Sequence, residues 1–334
     1  MADITIIMPS YNKEKYIEDA LNSVFMQDTT YDYHIIVADD CSKDKTVDIV
    51  KQYQEKFPNK ITLLESKANQ KLYKNILRAY EITKTDYFCV LDPDDYWTDK
   101  YKIQKALDFL EKNKDYTIYV TDTLMLLPDG SKKDFSKRYK IIDSSFDDFL
   151  NNRAVLGCTL GSTFRNVVFK NGVPEKMKNF ECGTMECSYR GDSFRSVSHL
   201  YYGKSHCVPE TDAVYRVTNS GEWTGLSDVE KCVFSANFYK DMWLYFDKKY
   251  PELLISSYKT TNKINADLLN KLSEIKTPER LSNTVKQLID LRKLFEENQE
   301  MINKGANKNL KLRHRIMLYL YQKFYKKLSK KGIV

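Results

Sequence analysis

A chain of 334 residues with 42% hydrophobic side chains and 24 tyrosines holds enough apolar material for one large packed domain plus an extension, which excludes the disordered classes. Its formal charge of +7 is uneven: ten Lys and Arg follow Glu300 with no acidic residue among them, so residues 1–300 carry 43 basic against 46 acidic side chains and give nucleic acid no basic core. No run reaches the roughly 18 apolar residues of a membrane span, no signal peptide precedes Ile4, and seven cysteines without a CxxC pair read as reduced cytosolic thiols.

In chain order, Ile4-Thr5-Ile6-Ile7-Met8 reads as a buried strand, stopped by Pro9-Ser10-Tyr11-Asn12. From Lys13 to Gln27 the apolar residues Tyr16, Ile17, Ala20, Leu21, Val24 and Phe25 repeat at helical spacing. Ile35-Ile36-Val37-Ala38 is a second apolar strand and ends in Asp39-Asp40-Cys41-Ser42. A helix over Asp44–Phe57, a strand over Ile61–Leu64, a helix over Lys71–Thr83 and a strand over Tyr87–Leu91 follow. Strands that are apolar throughout and alternate with helices predict an α/β fold whose mostly parallel sheet is covered on both faces. Ligands of such sheets bind beyond the carboxyl ends of the strands, so Pro9–Asn12, Asp39-Asp40 and Asp92–Asp95 should share one crevice.

The last of these ends is the most acidic. Asp92-Pro93-Asp94-Asp95 places three carboxylates in four positions, and their repulsion is relieved when a hard divalent cation sits among them. An acidic turn capping the next helix reads equally well from these residues alone. A glycine-rich dinucleotide fingerprint and a Walker lysine are both missing.

Four blocks in order, Ile6-Ile7-Met8-Pro9-Ser10-Tyr11-Asn12, Ala20-Leu21-Asn22-Ser23-Val24 with Gln27, Ile35 to Ser42, and Leu91-Asp92-Pro93-Asp94-Asp95, resemble the family-2 glycosyltransferases of the GT-A fold. The resemblance implies a nucleotide-sugar donor, expected to be a UDP-sugar, inverting transfer, and a divalent cation (Mn²⁺ or Mg²⁺) on the donor diphosphate. It implies that Pro9, Ser10 and Tyr11 line the nucleotide, and that Asp40 with Asp39 hydrogen-bonds the base. It sets Lys74 and Asn75 near the phosphates and Asp92, Asp94 and Asp95 at the metal, with Asp94 the direct ligand. A packing role for Tyr11 and a helix cap for Asp39-Asp40 stand beside these readings. Cys41 stands where the family often has glycine, and Gln70-Lys71 lacks the glycine common after Asn69. Both departures concern backbone geometry and leave the carboxylates in place.

Farther along, the sequence predicts a helix over Asp99–Lys112, a strand over Tyr116–Leu127, a Pro128-Asp129-Gly130 turn and a short helix over Asp143–Asn151. Gly157–Arg165 resembles the family's small-residue strand beside the donor sugar. Arg190-Gly191-Asp192-Ser193-Phe194 is followed by a predicted helix over Asp192–Tyr202, a strand over Ser205–Pro209 and Thr211 to Arg216. The block resembles a family variant in which an aspartate opens the helix and a Gly-x-Trp loop, here Gly221-Glu222-Trp223, comes later. Inverting transfer requires one carboxylate to take the acceptor's proton, and the resemblance selects Asp192, expected at a helix mouth. A plain N-cap role, and Glu186 as the rival base, remain beside it. The Gln-x-x-Arg-Trp motif of processive synthases is missing, which favours single additions.

The expected organisation is a catalytic domain over 1–225, a helical extension over 226–303 with helices near 228–247, 252–275 and 278–300, and a basic amphipathic tail over 304–334. The tail carries Leu312, Ile316, Tyr319, Leu320, Phe324 and Leu328 among its cations and reads as a helix on an anionic membrane surface. Docking on the enzyme or a homodimer contact reads as well. The expected enzyme is cytoplasmic, peripheral to the inner face of the membrane, and serves a glycan or lipid-linked glycan acceptor without nucleic acid. Its competitors are a catalytically silent nucleotide-sugar-binding module and a nucleic-acid binder using the tail.

Overall fold

The structure, a computed structural model, describes residues 2–136, 140–178, 186–218, 225–264, 271–305, 323 and 330. The Gly221-Glu222-Trp223 loop and nearly all of the basic tail lie outside these residues. The chain forms two compact units, Met1–Asn219 and Ser220–Val334.

In the first unit, β1 (Ile4–Ser10) is buried along its whole length and is flanked in parallel by β2 (Tyr33–Asp39) and β4 (Tyr87–Val90), with β3 (Ile61–Glu65) outside β2. The crossovers are α1 (Ile17–Phe25), α2 (Thr46–Lys56) and α3 (Lys71–Ile82). Each turns a narrow apolar face to the sheet, as the sequence periodicity requires. On α1 that face is Ile17, Ala20, Leu21 and Val24, all fully buried, and each large aliphatic side chain contributes roughly 1.5–3 kcal/mol.

Beyond β4 the sheet becomes mixed. The remaining strands are β5 (Tyr96–Trp97), β6 (Tyr116–Leu126), β7 (Lys132–Asp134), β8 (Ile142–Ser144), β9 (Ser162–Arg165) and β10 (Lys204–Arg216). Their order continues β4-β9-β6-β10-β5, with β9 antiparallel to both neighbours and β10 parallel to β6. The helices here are α4 (Lys102–Lys112), α5 (Phe146–Leu150), α6 (Glu175–Lys178) and α7 (Glu186–Leu200).

Three expectations are corrected. The short helix begins at Phe146, because a Ser145–Asp148 capping box opens it and Ile142–Ser144 instead pairs with β10. The strand near Ser205 does not stop at Pro209: β10 runs through to Arg216 and absorbs the proline at register shifts between Cys207 and Ala213. The helix before it opens at Glu186 and not at Asp192, since a glycine inside a helix costs only about 1 kcal/mol and Gly191 does not break it.

The second unit is helical. Its described helices are α8 (Asp228–Tyr245), α9 (Pro251–Thr261), α10 (Pro278–Glu297) and α11 (Gln299–Gly305). Ser227 with Glu230 forms a capping box at α8, and Thr277 caps α10 one residue before Pro278. Val229, Val233, Leu281, Val285 and Leu288 share its core with Leu272 and Ile275. The expected single helix over 252–275 is also corrected: α9 ends at Thr261, and Lys271–Glu274 is a separate 3₁₀ turn.

Candidate active site

Register brings the suspected strand ends together. Ser10 pairs with Asp39 at the ends of β1 and β2, and the Leu91 N–H donates to the Ile7 carbonyl at 2.9 Å, so the Asp92 turn opens beside the same edge. Pro9 and Ser10 are buried there, the Ser10 hydroxyl has no partner, and the Tyr11 ring is exposed.

The paired aspartates are buried and already bonded. Asp39 accepts from the Ser42 N–H at 2.9 Å and the Ser42 hydroxyl at 2.5 Å. Asp40 accepts from the N–H groups of Gln70 and Lys71 at 2.7 and 2.8 Å, so it caps α3 from thirty residues away. Both backbone departures noted in the sequence adopt the conformation glycine would supply: φ is +68° at Cys41 and +71° at Lys71. Asn75 is buried, donating to the Ala38 carbonyl at 2.6 Å and accepting from Arg78 at 3.0 Å, whereas Lys74 is exposed on α3.

The acidic turn is graded by depth. Asp92 and Asp94 are partly exposed, and Asp95 is buried beneath them. Asp95 Oδ1 accepts from the Arg216 N–H at 2.8 Å while its Oδ2 is buried without a partner, and burial, then Asp92 and Asp94, hold its pKa well above the carboxylate range. Asp92 is likewise raised, first by burial, then by the charges of Asp192 and Asp94, against the pull of Lys13 and Arg195. Asp192, a hundred residues away in sequence, therefore stands within electrostatic reach of Asp92. Burial and the charges of Asp95, Asp192 and Asp92 also push the Cys158 thiol up to about 12, which brings the Gly157–Arg165 segment to the same place. Gly161 is required there, because a Cβ would lie 2.6 Å from the Thr121 carbonyl oxygen.

Asp192 is not an N-cap. It lies inside α7 with its side chain 57% exposed, and one oxygen faces the Arg195 guanidinium at 3.4 Å. The Glu186 side chain lies outside the described residues.

Sequence reasoning missed the cations. Lys13 Nζ pairs with Asp94. Arg216 donates to the Asp94 carbonyl at 3.2 Å and to Asp19 at 2.5 Å, between the Tyr16 and Tyr96 rings. Lys102 forms a buried pair with Asp212 at 2.8 Å, shared with Thr121. The one available signal was position: Lys13 follows the strand end at Pro9–Asn12 already suspected, whereas Arg216 closes β10, whose end was not.

Among the described residues no three His, Cys, Asp or Glu side chains are gathered into a ready metal cage. The oxygen donors nevertheless suit a hard cation that takes one or two carboxylates and completes its shell with phosphate oxygens. The mutual repulsion of Asp92, Asp94 and Asp192, and the orphaned Asp95 oxygen, fit such a charge.

Fold and site together define a GT-A type α/β unit with carboxylates at its strand ends. Residues 5–159, all within the N-terminal unit, match the family described as Glycosyl transferase family 2. The Bacillus subtilis putative teichuronic acid biosynthesis glycosyltransferase TuaG is 28% identical over 251 residues, 72% of this chain and 92% of its own. The Mycobacterium tuberculosis protein Rv1520 is 26% identical over 221 residues, 66% of this chain, and this chain spans only 60% of its length. Among solved structures, Staphylococcus aureus TarS 1–349 in complex with UDP-GlcNAc aligns with a TM-score of 0.52 at 17% identity, over 92% of this chain and 93% of that one. The Pyrobaculum calidifontis mannosyltransferase PcManGT with GDP-Man and Mn²⁺ aligns at 0.50 and 14% identity, over 87% of each chain. At these identities the two structures speak for the fold.

Proposed function

We propose that the protein is an inverting glycosyltransferase that moves one sugar from a nucleotide-sugar, a UDP-sugar, to a hydroxyl of a glycan or lipid-linked glycan. The observation that carries this reading is the convergence of Asp192 on the Asp92–Asp95 turn. It sets a partly exposed carboxylate opposite a site suited to a diphosphate and its cation.

In this reading Pro9, Ser10 and Tyr11 frame the nucleotide over the Asp39-Asp40 end of β2, and Lys74 faces the phosphates. Asn75 acts from beneath by fixing α3 to β2. A divalent cation, Mn²⁺ or Mg²⁺, held by Asp94 and Asp92 with Asp95 behind them, neutralises charge on the departing diphosphate when bound. The acceptor oxygen attacks the anomeric carbon, its proton passes to Asp192, and the bond to the diphosphate breaks with its electron pair leaving on the phosphate oxygen. Lys13 is free to turn to the diphosphate once a cation takes its place on Asp94. The basic tail keeps the enzyme at an anionic membrane surface, the inner face of the cell membrane, where a lipid-linked acceptor is found.

The test is Asp192→Asn, which retains size and loses basicity. Turnover should fall by about 10²–10⁴-fold while UDP affinity and its cation dependence persist. Normal turnover in that variant, with Glu186→Gln inactive, would move the base to Glu186. Failure of any nucleotide-sugar to release nucleoside diphosphate would leave a binding module.

A further inference from the structure

Arg195 is the most deeply buried charge in the first unit, with none of its surface exposed. Burying a cation costs several kcal/mol unless it is paired, and an apolar side chain of similar volume would often serve a core as well. Its surroundings show what holds it. One guanidinium nitrogen donates to the Tyr80 hydroxyl of α3 at 2.8 Å, and the Phe164 ring of β9 lies 5.3 Å from the guanidinium carbon. The second terminal nitrogen reaches Asp192 Oδ1 at 3.4 Å, one helical turn back on α7. The guanidinium is therefore clamped between three rigid elements, and its open edge points to Asp192.

Asp192 needs such a contact. Inside a helix its carboxylate has no free backbone N–H groups to hold it, and its side chain is more than half exposed. From the strand end it faces the charge of Asp92, which Asp94 also repels and the Lys13 ammonium offsets; from α3 it faces Tyr80. Among the described residues, the contact that restrains it is Arg195.

We infer that Arg195 is a positioning residue for Asp192: its guanidinium fixes one carboxylate oxygen and leaves the other to receive the acceptor's proton. The inference rests on the reading of Asp192 as base. The clamp limits the rotation of Asp192, and the adjacent guanidinium offsets the Asp92 carboxylate opposite. The contact to Asp192 is single-pointed, unlike a bidentate pair, so one oxygen remains available.

Arg195→Gln keeps a polar arm for Tyr80 and Asp192 without the charge. Its kcat should fall by about 10–100-fold, the usual scale for a misplaced catalytic group, with donor KM within twofold of wild type. Arg195→Lys keeps the charge but loses the planar fork, so kcat should still drop while donor KM stays near wild type. A folded Arg195→Gln enzyme with wild-type kcat, or one whose donor KM rises in step with the fall in kcat, overturns the inference. If Arg195→Gln does not fold, wild-type kcat in Arg195→Lys overturns it. Asp192→Asn separates the two levels: normal turnover there removes the base itself, whereas a dead Asp192→Asn beside an unaffected Arg195 series removes only the positioning role.

Discussion

Replacing Asp40 by Asn separates the two jobs a buried aspartate at this strand end can hold. In the structure each carboxylate oxygen accepts one backbone N–H at the start of α3, from Gln70 and Lys71, and the side chain is 3% exposed. An amide offers one oxygen: turned to the Gln70 N–H, it leaves the Lys71 N–H only the Asn69 side-chain oxygen at 3.0 Å and sets an NH₂ against it, while the kept bond loses its charge assistance. The lost charge-assisted bond costs about 1–3 kcal/mol and the weakened one about 1 more, for a total near 2–4 kcal/mol. In a unit of this size each kcal/mol lowers the midpoint by roughly 2–4 °C, so thermal unfolding should begin about 5–15 °C earlier. Differential scanning fluorimetry of the variant with and without UDP reads both roles. A midpoint within 1 °C of wild type would refute the capping argument. Unchanged UDP stabilisation on the lowered baseline would remove Asp40 from the nucleotide contacts and leave it a cap.

Asp94→Ala should abolish the divalent-dependent part of UDP binding in calorimetry with the fold intact, and unchanged Mn²⁺ dependence would exclude Asp94 as the ligand. Lys13→Met should tighten Mn²⁺ binding in the absence of donor, since an ammonium then no longer competes for Asp94; weaker binding would refute that competition. Lys71→Gly should stabilise the protein by about 0.5–1 kcal/mol in urea unfolding, the left-handed strain relieved less the extra chain entropy of glycine, and Lys71→Ala should give no such gain. Removing residues 306–334 should release the protein from anionic vesicles and spare turnover on a soluble acceptor analogue; retained vesicle binding would refute the tail's role.

What was legible in the sequence is what local pattern encodes. The β1–β4 alternation and the blocks at Pro9, Asp39 and Asp92 depend on apolar runs and on residues at strand ends, and these appear in any linear reading. The mixed half of the sheet was only partly legible, because β10 continues through a proline by shifting register, and single-strand patterning does not reveal a neighbour's hydrogen bonds. Asp192 was identified through resemblance, but its setting was misread: the resemblance put it at a helix start, whereas the helix runs back through Gly191 to Glu186. Lys13, Arg195 and Arg216 were not legible as partners of the site. Their meaning lies in contacts 81, 115 and 121 positions away, with Asp94, Tyr80 and Asp95.

The sheet order has a consequence for how this molecule is made. The β3-β2-β1-β4 half joins segments that are near in sequence through short helical crossovers, whereas its continuation through β9, β6 and β10 waits for residues synthesised much later. Asp95 meets the Arg216 backbone only when β10 is in place, and Asp192 arrives on the helix just before that strand. During synthesis, then, the strand ends that frame a nucleotide exist before the carboxylate that would use it. On the proposed reading of Asp192 as base, a nascent chain cut short before α7 lacks the group that activates an acceptor, and the order of translation withholds turnover until that helix is made.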